Sequence, residues 1–113
     1  MRNLTVGERE EKRQQLTRAL ERLIYDLCRD WSEDDLRWVK EFIHNHEFVL
    51  ALETLAGVVV ERSKPLTIRH LHEIAALAEL MNLSGNEYLR NLHAYASKIG
   101  VKDAAVPSPV RRR

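Results

Sequence analysis

The chain has 113 residues, of which 44% are hydrophobic and 31% are charged, and its formal net charge is +1. This length and composition are typical of one soluble globular domain and exclude a predominantly disordered chain. The single cysteine, Cys28, excludes an internal disulfide, and no apolar run approaches the roughly 20 residues of a membrane span. We therefore expect a cytoplasmic protein.

The first predicted helix begins near Val6 and ends near Arg29. Thr5 and Glu8 have the spacing of a capping box, which satisfies amide groups at a helix N-terminus. An apolar stripe follows at helical spacing, formed by Leu16, Leu20, Leu23 and Leu27 and widened by Ala19 and Ile24.

The second predicted helix covers about residues 33–44. Ser32 is a hydroxyl cap, and the three acids that follow it are placed to interact with the positive end of the helix dipole. Its core side is predicted from the apolar spacing to consist of Leu36, Val39 and Ile43.

The third predicted helix covers Glu47 to Glu61, after a break near Asn45 and His46. Its apolar line is Phe48, Leu52, Leu55 and Val59, broadened by Ala51, Ala56 and Val58. The β-branched run Val58 to Val60 leaves a short buried strand as an alternative. Pro65 ends this segment.

Two further helices complete the pattern. Thr67 caps a helix over about 68–81, whose broad apolar face is predicted to contain Ile68, Leu71, Ile74, Ala75, Ala78 and Met81. The last helix follows the turn at Ser84 to Asn86 and is stopped by Gly100, and its apolar face is predicted to be Tyr88, Leu92, Tyr95, Ala96 and Ile99. We predict an all-α protein, a compact bundle of about five helices in a single domain over residues 1–100. A disordered basic tail is predicted over residues 101–113.

The net charge of the whole chain conceals a strongly acidic segment. Residues 30–61 contain eight acids and only two bases, Arg37 and Lys40, which leaves six net negative charges. A basic partner is the natural inference from such a segment. The predicted partner-binding residues lie on the second helix and at the start of the third: Asp34, Asp35, Trp38, Glu41, Asn45 and Glu47.

Trp38 has two competing interpretations. At 100 degrees per residue it lies about 140 to 160 degrees away from Leu36 and Ile43, on the side of Asp34, Glu41 and Asn45. An exposed aromatic among acids is typical of an interface hot spot. The alternative is that Trp38 and Phe42 widen the core face, because Trp is usually buried.

The sequence contains no recognisable metal or catalytic motif. The histidine pairs His44/His46 and His70/His72 are two residues apart, which on a helix turns them about 200 degrees from each other. The chain has no His pair at the HExxH spacing, no GxSxG elbow and no glycine-rich phosphate loop. We therefore expect no metal, no cofactor and no enzymatic activity.

Two segments resemble a known family. The residues HEFVLALETL from His46 to Leu55 and IAALAELMNL from Ile74 to Leu83 are similar to small helical immunity proteins of bacterial polymorphic-toxin and contact-dependent inhibition systems, the MafI-like group included. The similarity covers roughly residues 33–83. It implies a cytoplasmic inhibitor without catalysis of its own, which binds a toxin C-terminal domain, often a nuclease. The basic tail departs from the acidic character of many nuclease inhibitors.

Two alternatives remain open. The chain could be a small DNA-binding regulator, in which the second helix and the third or fourth form a helix-turn-helix and the tail grips phosphates. Acids on such a recognition helix argue against direct contact with nucleic acid. The other alternative is a homo-oligomeric scaffold that uses Leu16 to Leu27 as a coiled-coil seam, although two heptads are few.

Overall fold

The fold consists of helices joined by short connections. The computed structural model describes residues 5–100, and within that range there is no β-strand. The all-α prediction is confirmed, whereas the predicted disordered tail at 101–113 lies outside the described residues. No helix in residues 5–100 is long and apolar enough to cross a membrane. The helices are α1 (Val6–Leu27), α2 (Glu33–His44), α3 (Phe48–Glu61), α4 (Ile68–Leu80) and α5 (Glu87–Ile99).

Side-chain caps fix where the helices begin. The Thr5 hydroxyl accepts from the Glu8 amide at 3.1 Å, and the Glu8 carboxylate accepts from the Thr5 amide at 2.9 Å, so the predicted capping box is present. Ser32 and Thr67 cap α2 and α4 as predicted. The Asn86 side chain caps α5 by accepting from two backbone amides.

Helix α5 ends at the left-handed Gly100, and three other helices end at a non-glycine residue with left-handed backbone conformation. These residues are His46, Ser63 and Asn82, with φ angles of 60°, 52° and 57°. In each case the next amide donates to a carbonyl five residues earlier, as in a Schellman motif. The donor and acceptor pairs are Glu47 to Phe42 at 2.8 Å, Lys64 to Val59 at 2.9 Å and Leu83 to Ala78 at 2.9 Å.

The described residues divide into two compact units, and the division falls inside α3, between Leu55 and Ala56. The first unit contains α1, α2 and the first half of α3. Its buried side chains on α1 and α2 are Leu16, Leu20, Leu23, Ile24, Leu27, Leu36, Val39 and Ile43, which are the predicted core positions except Ala19. Trp31, in the connection between α1 and α2, is also buried. The prediction of a single domain over residues 1–100 stays a prediction.

The second unit contains the rest of α3 with α4 and α5. Here the predicted faces are partly wrong. On α4, Ala75 is exposed while Leu77 and His70 are buried, because the buried face is turned toward the larger Leu77 side chain. On α5 the buried residues are Leu89, Leu92 and Ala96, whereas Tyr88 and Ile99 are about half exposed.

The second half of α3 is helical throughout. The run Val58 to Val60 belongs to the helix, so the strand alternative is wrong. Just after α3, the hydroxyl of Tyr95 donates a hydrogen bond to the backbone carbonyl of Lys64. This contact connects α5 to the loop between α3 and α4.

His70 is the buried polar residue of the second unit, and it lies in the first turn of α4. Its backbone amide donates to the Thr67 hydroxyl at 3.1 Å, and its ring Nδ1 lies 2.9 Å from the same oxygen. Burial lowers the pKa of His70 below its ordinary value; Glu73 acts in the opposite direction and Arg69 adds to the lowering. A neutral ring shares a hydrogen bond with the Thr67 hydroxyl, whereas the positive charge of a protonated ring is unfavourable at a helix N-terminus.

We predict that His70 makes stability depend on pH. Because its folded pKa lies below the unfolded value of about 6.5, its contribution is fully present above that pH. It is lost as the pH falls from about 6.5 toward the folded pKa, because the unfolded chain binds the proton more tightly. The free energy of unfolding, measured with urea between pH 7.5 and 5.5, should fall more steeply with decreasing pH for the wild type than for His70→Gln. Parallel curves for the two proteins would contradict this assignment.

Glycine is present in α3 where the backbone does not require it. A Cβ added at Gly57 would have the Tyr88 ring as its nearest neighbour, at 3.9 Å, which is ordinary van der Waals contact. Gly57 is in regular helix, where glycine costs about 1 kcal/mol relative to Ala. Ser63, which follows the same helix, has the left-handed conformation that glycine adopts freely.

We predict that Gly57→Ala raises the free energy of unfolding by about 0.5–1 kcal/mol, because it restores helix propensity without a clash. Ser63→Gly should stabilise by a similar amount, about 0.5–1 kcal/mol, through relief of backbone strain. Chemical denaturation of each variant measures both effects. A destabilised Gly57→Ala protein would mean that the added methyl group meets a steric constraint.

Candidate functional site

The candidate site is built on α2, whose start is fixed by its cap. The Ser32 hydroxyl accepts from the Asp35 amide at 3.1 Å, and Glu33, Asp34 and Asp35 occupy the first turn. Carboxylates there interact favourably with the helix dipole, at about 0.3–1 kcal/mol each. The cap and the dipole therefore hold these acids at the beginning of the helix.

The buried residues of α2 decide which side faces outward. Leu36, Val39 and Ile43 are buried, as predicted. At 100 degrees per residue, the side opposite to them spans only about 60 degrees. It contains four of the six predicted residues, namely Asp34, Trp38 and Glu41 of the helix and Asn45, its C-cap. We call these four residues the outer face of α2.

Trp38 is on the exposed side of the helix. Its side chain is 55% exposed, and its ring centroid lies 6.0 Å from that of Phe42 in a tilted arrangement. Phe42 is half-buried and lies between the outer face and the core. The interpretation in which both rings widen the core therefore holds only for Phe42, and only in part.

The two carboxylates of the outer face have different environments. Asp34 lies 3.7 Å from the Arg37 guanidinium in an exposed ion pair, which is worth little. The Asn45 amide donates to Glu41 Oε2 at 3.3 Å. Among the described residues Glu41 has no cationic partner.

An open groove of about 1120 Å³ lies between α1 and α2. Nearly buried apolar side chains, including Ile24, Leu36 and Ile43, form its floor. Tyr25 on its rim is 76% exposed, with the Arg29 guanidinium 6.0 Å from the ring centroid. The groove was not predicted from the sequence, although apolar stripes on two helices joined by a short connection are the signal for it.

The groove and the outer face differ in charge. Arg37 and Lys40, the two bases of the acidic segment, both line the groove. The groove lining also includes Arg29 and four acids, so four minus three leaves one net negative charge with histidine neutral. The outer face contains Asp34 and Glu41 and no base of its own. Both of these acids also lie on the edge of the groove.

The remaining two predicted residues are not on the outer face. Asp35 is half-buried, about 100 degrees around the helix from Asp34. Glu47 is exposed and follows the left-handed turn at His46 that ends α2. It immediately precedes α3 and accepts the Ala51 amide at its backbone carbonyl, at 3.0 Å. The predicted set is therefore one cluster of four residues with two separate neighbours.

Within residues 5–100, no group of three or more His, Cys, Asp or Glu side chains is arranged to hold a metal ion. His44, His46, His72 and His93 are exposed, and His70 is buried beside its helix cap. An exposed indole with carboxylates and an amide around it can supply apolar contact, charge and hydrogen bonds to another protein surface.

No protein-family model matches the chain, and no curated protein or solved structure matches it at a significant level.

Proposed function

We propose that this chain is a cytoplasmic immunity protein that binds and neutralises a basic toxin domain, of the nuclease class, from a contact-dependent inhibition or polymorphic-toxin system. The observation that carries the proposal is the outer face of α2, where exposed Trp38 stands among Asp34, Glu41 and Asn45. The resemblance of residues 33–83 to small helical immunity proteins, which stays a prediction, supplies the biological setting.

The charge of the outer face supports a basic partner. A nuclease domain must be basic where it holds the phosphates of its substrate. Two carboxylates on one helical face attract such a surface during encounter and oppose acidic partners. Bound there, the inhibitor covers the surface that the nucleic acid needs.

In the proposed complex, apolar contact at Trp38 slows dissociation. A half-exposed Trp loses water-accessible surface when a partner covers it, and Trp is among the residues that most often dominate an interface. We assign the short-range affinity to Trp38 and the register to Glu41 and Asn45. Asp35 and Glu47 contribute their charge to the same field from the two ends of α2.

The proposal is tested by the growth of cells that express the proposed toxin domain, which is the C-terminal domain of the protein encoded immediately upstream of the gene for this chain. Growth is compared with and without this protein. The expected result is that the domain kills, and that this chain restores growth and forms a stable complex with it. Killing that this chain does not relieve would overturn the proposal.

Titration with nonspecific duplex DNA at about 50 mM salt then tests the alternative of a helix-turn-helix regulator, which should bind the DNA at micromolar concentration or tighter.

We predict that Asp34→Asn/Glu41→Gln weakens binding of the toxin domain by about tenfold at low salt, mostly through slower association. The loss should shrink as salt screens the charges, since the Debye length falls from about 10 Å at 0.1 M to about 3 Å at 1 M. The matched control is Glu61→Gln/Glu79→Gln, which removes two exposed charges from the second unit. Equal losses in both doubles would mean that net charge matters and the outer face does not.

A further inference from the structure

Trp38 has acidic neighbours on both sides along the outer face of α2. Asp34 lies one turn before it and Glu41 one turn after it, at the i,i+4 and i,i+3 spacings at which helical side chains are adjacent. The three side chains lie within about 60 degrees of one another around the helix. An exposed aromatic face is therefore bordered by negative charge.

The Trp38 ring is available for a cation. Its ring contact among the described residues is with Phe42, in a tilted arrangement that leaves the side chain more than half exposed. Of the aromatic side chains, Trp attracts a cation over its face most strongly. The Arg29 guanidinium lies over the Tyr25 ring, whereas within residues 5–100 the Trp38 ring has no cation over it.

The two carboxylates are not equally ready to receive a cation. Arg37 of the same helix already lies beside Asp34, at 3.7 Å. The Asn45 amide holds Glu41 through Oε2, which leaves Oε1 without a hydrogen-bond partner in the described part of the chain. Glu41 is thus oriented by a neutral group and is not neutralised by a base.

We propose that Trp38 and Glu41 together bind one arginine side chain of the partner. The guanidinium plane lies over the indole and donates to Glu41 Oε1, while Asn45 holds the carboxylate in place. Arginine is preferred to lysine because its guanidinium is planar, stacks on aromatic rings and is weakly hydrated. This inference rests on the proposed function, since it names the chemical group that the basic toxin domain inserts. Nucleic acid is disfavoured at the same place, because both carboxylates would repel its phosphates.

The test uses the free protein and N-acetyl-arginine amide, followed by the indole N–H resonances of the two tryptophans. Trp38 is identified as the resonance lost in Trp38→Phe. Buried Trp31 is the internal reference. We expect a saturable shift of the Trp38 signal alone, and no comparable shift with N-acetyl-citrulline amide, which has the same shape without the charge.

Variants separate the proposed contact from general attraction. Glu41→Gln should weaken arginine binding several-fold, and Trp38→Leu should abolish the ring-current shift that arginine protons show above the indole. Glu33→Gln removes an exposed acid from the flank of α2 that lines the groove and should leave arginine binding unchanged. The proposal is overturned if citrulline shifts Trp38 as much as arginine does, or if Glu33→Gln and Glu41→Gln weaken binding equally.

The growth assay keeps this inference distinct from the proposed function. One outcome is that the wild type, Trp38→Leu and Glu41→Gln all restore growth fully and bind the toxin domain with the same affinity. This outcome would support the immunity function and overturn the arginine contact. A selective arginine response without rescue would overturn the immunity function and leave the contact standing. Both variants change exposed side chains, and an unchanged amide spectrum elsewhere in the protein checks that each is folded.

Discussion

The rotation of α2 about its own axis is the constraint on which the candidate site depends. Burial of Leu36, Val39 and Ile43 stabilises the observed rotation by about 1.5–3 kcal/mol for each side chain. A half-turn that buried Trp38 would expose those three residues and take the Asp34 and Glu41 carboxylates out of water, where unpaired charge is very costly. Three aliphatic side chains and two charges outweigh one indole. Trp38 stays exposed because the rotation of α2 that would bury it has a higher free energy.

This rotation also separates the charges of the acidic segment. The bases Arg37 and Lys40 lie on the flank that lines the groove, whereas Asp34 and Glu41 lie where the groove meets the outer face. A segment with six net negative charges is therefore not a uniformly acidic surface. The outer face combines acidity with an exposed ring and an amide that contacts one carboxylate, and we propose a basic protein as its partner on the ground of this combination.

Local signals made the helices predictable. Caps at Thr5, Ser32 and Thr67 act through neighbouring residues, so the sequence contains all that defines them. The orientation of α2 was predictable because its apolar residues fall on one narrow side. The face of α4 was not, because both Ala75 and Leu77 are apolar and only tertiary packing decides between them. Burial of His70 beside its own cap, and the ion pair that occupies Asp34, depend on side-chain positions that spacing does not specify.

Amide hydrogen exchange of this protein, alone and with the domain encoded upstream, tests the central claim most directly, since it maps the contact surface without altering a residue. The outer face of α2 contains the aromatic and acidic groups that would bind. The account predicts slower exchange in peptides that cover residues 33–45, with α4 and α5 unchanged. Protection confined to α4 or α5, with residues 33–45 exchanging as in the free protein, would contradict it.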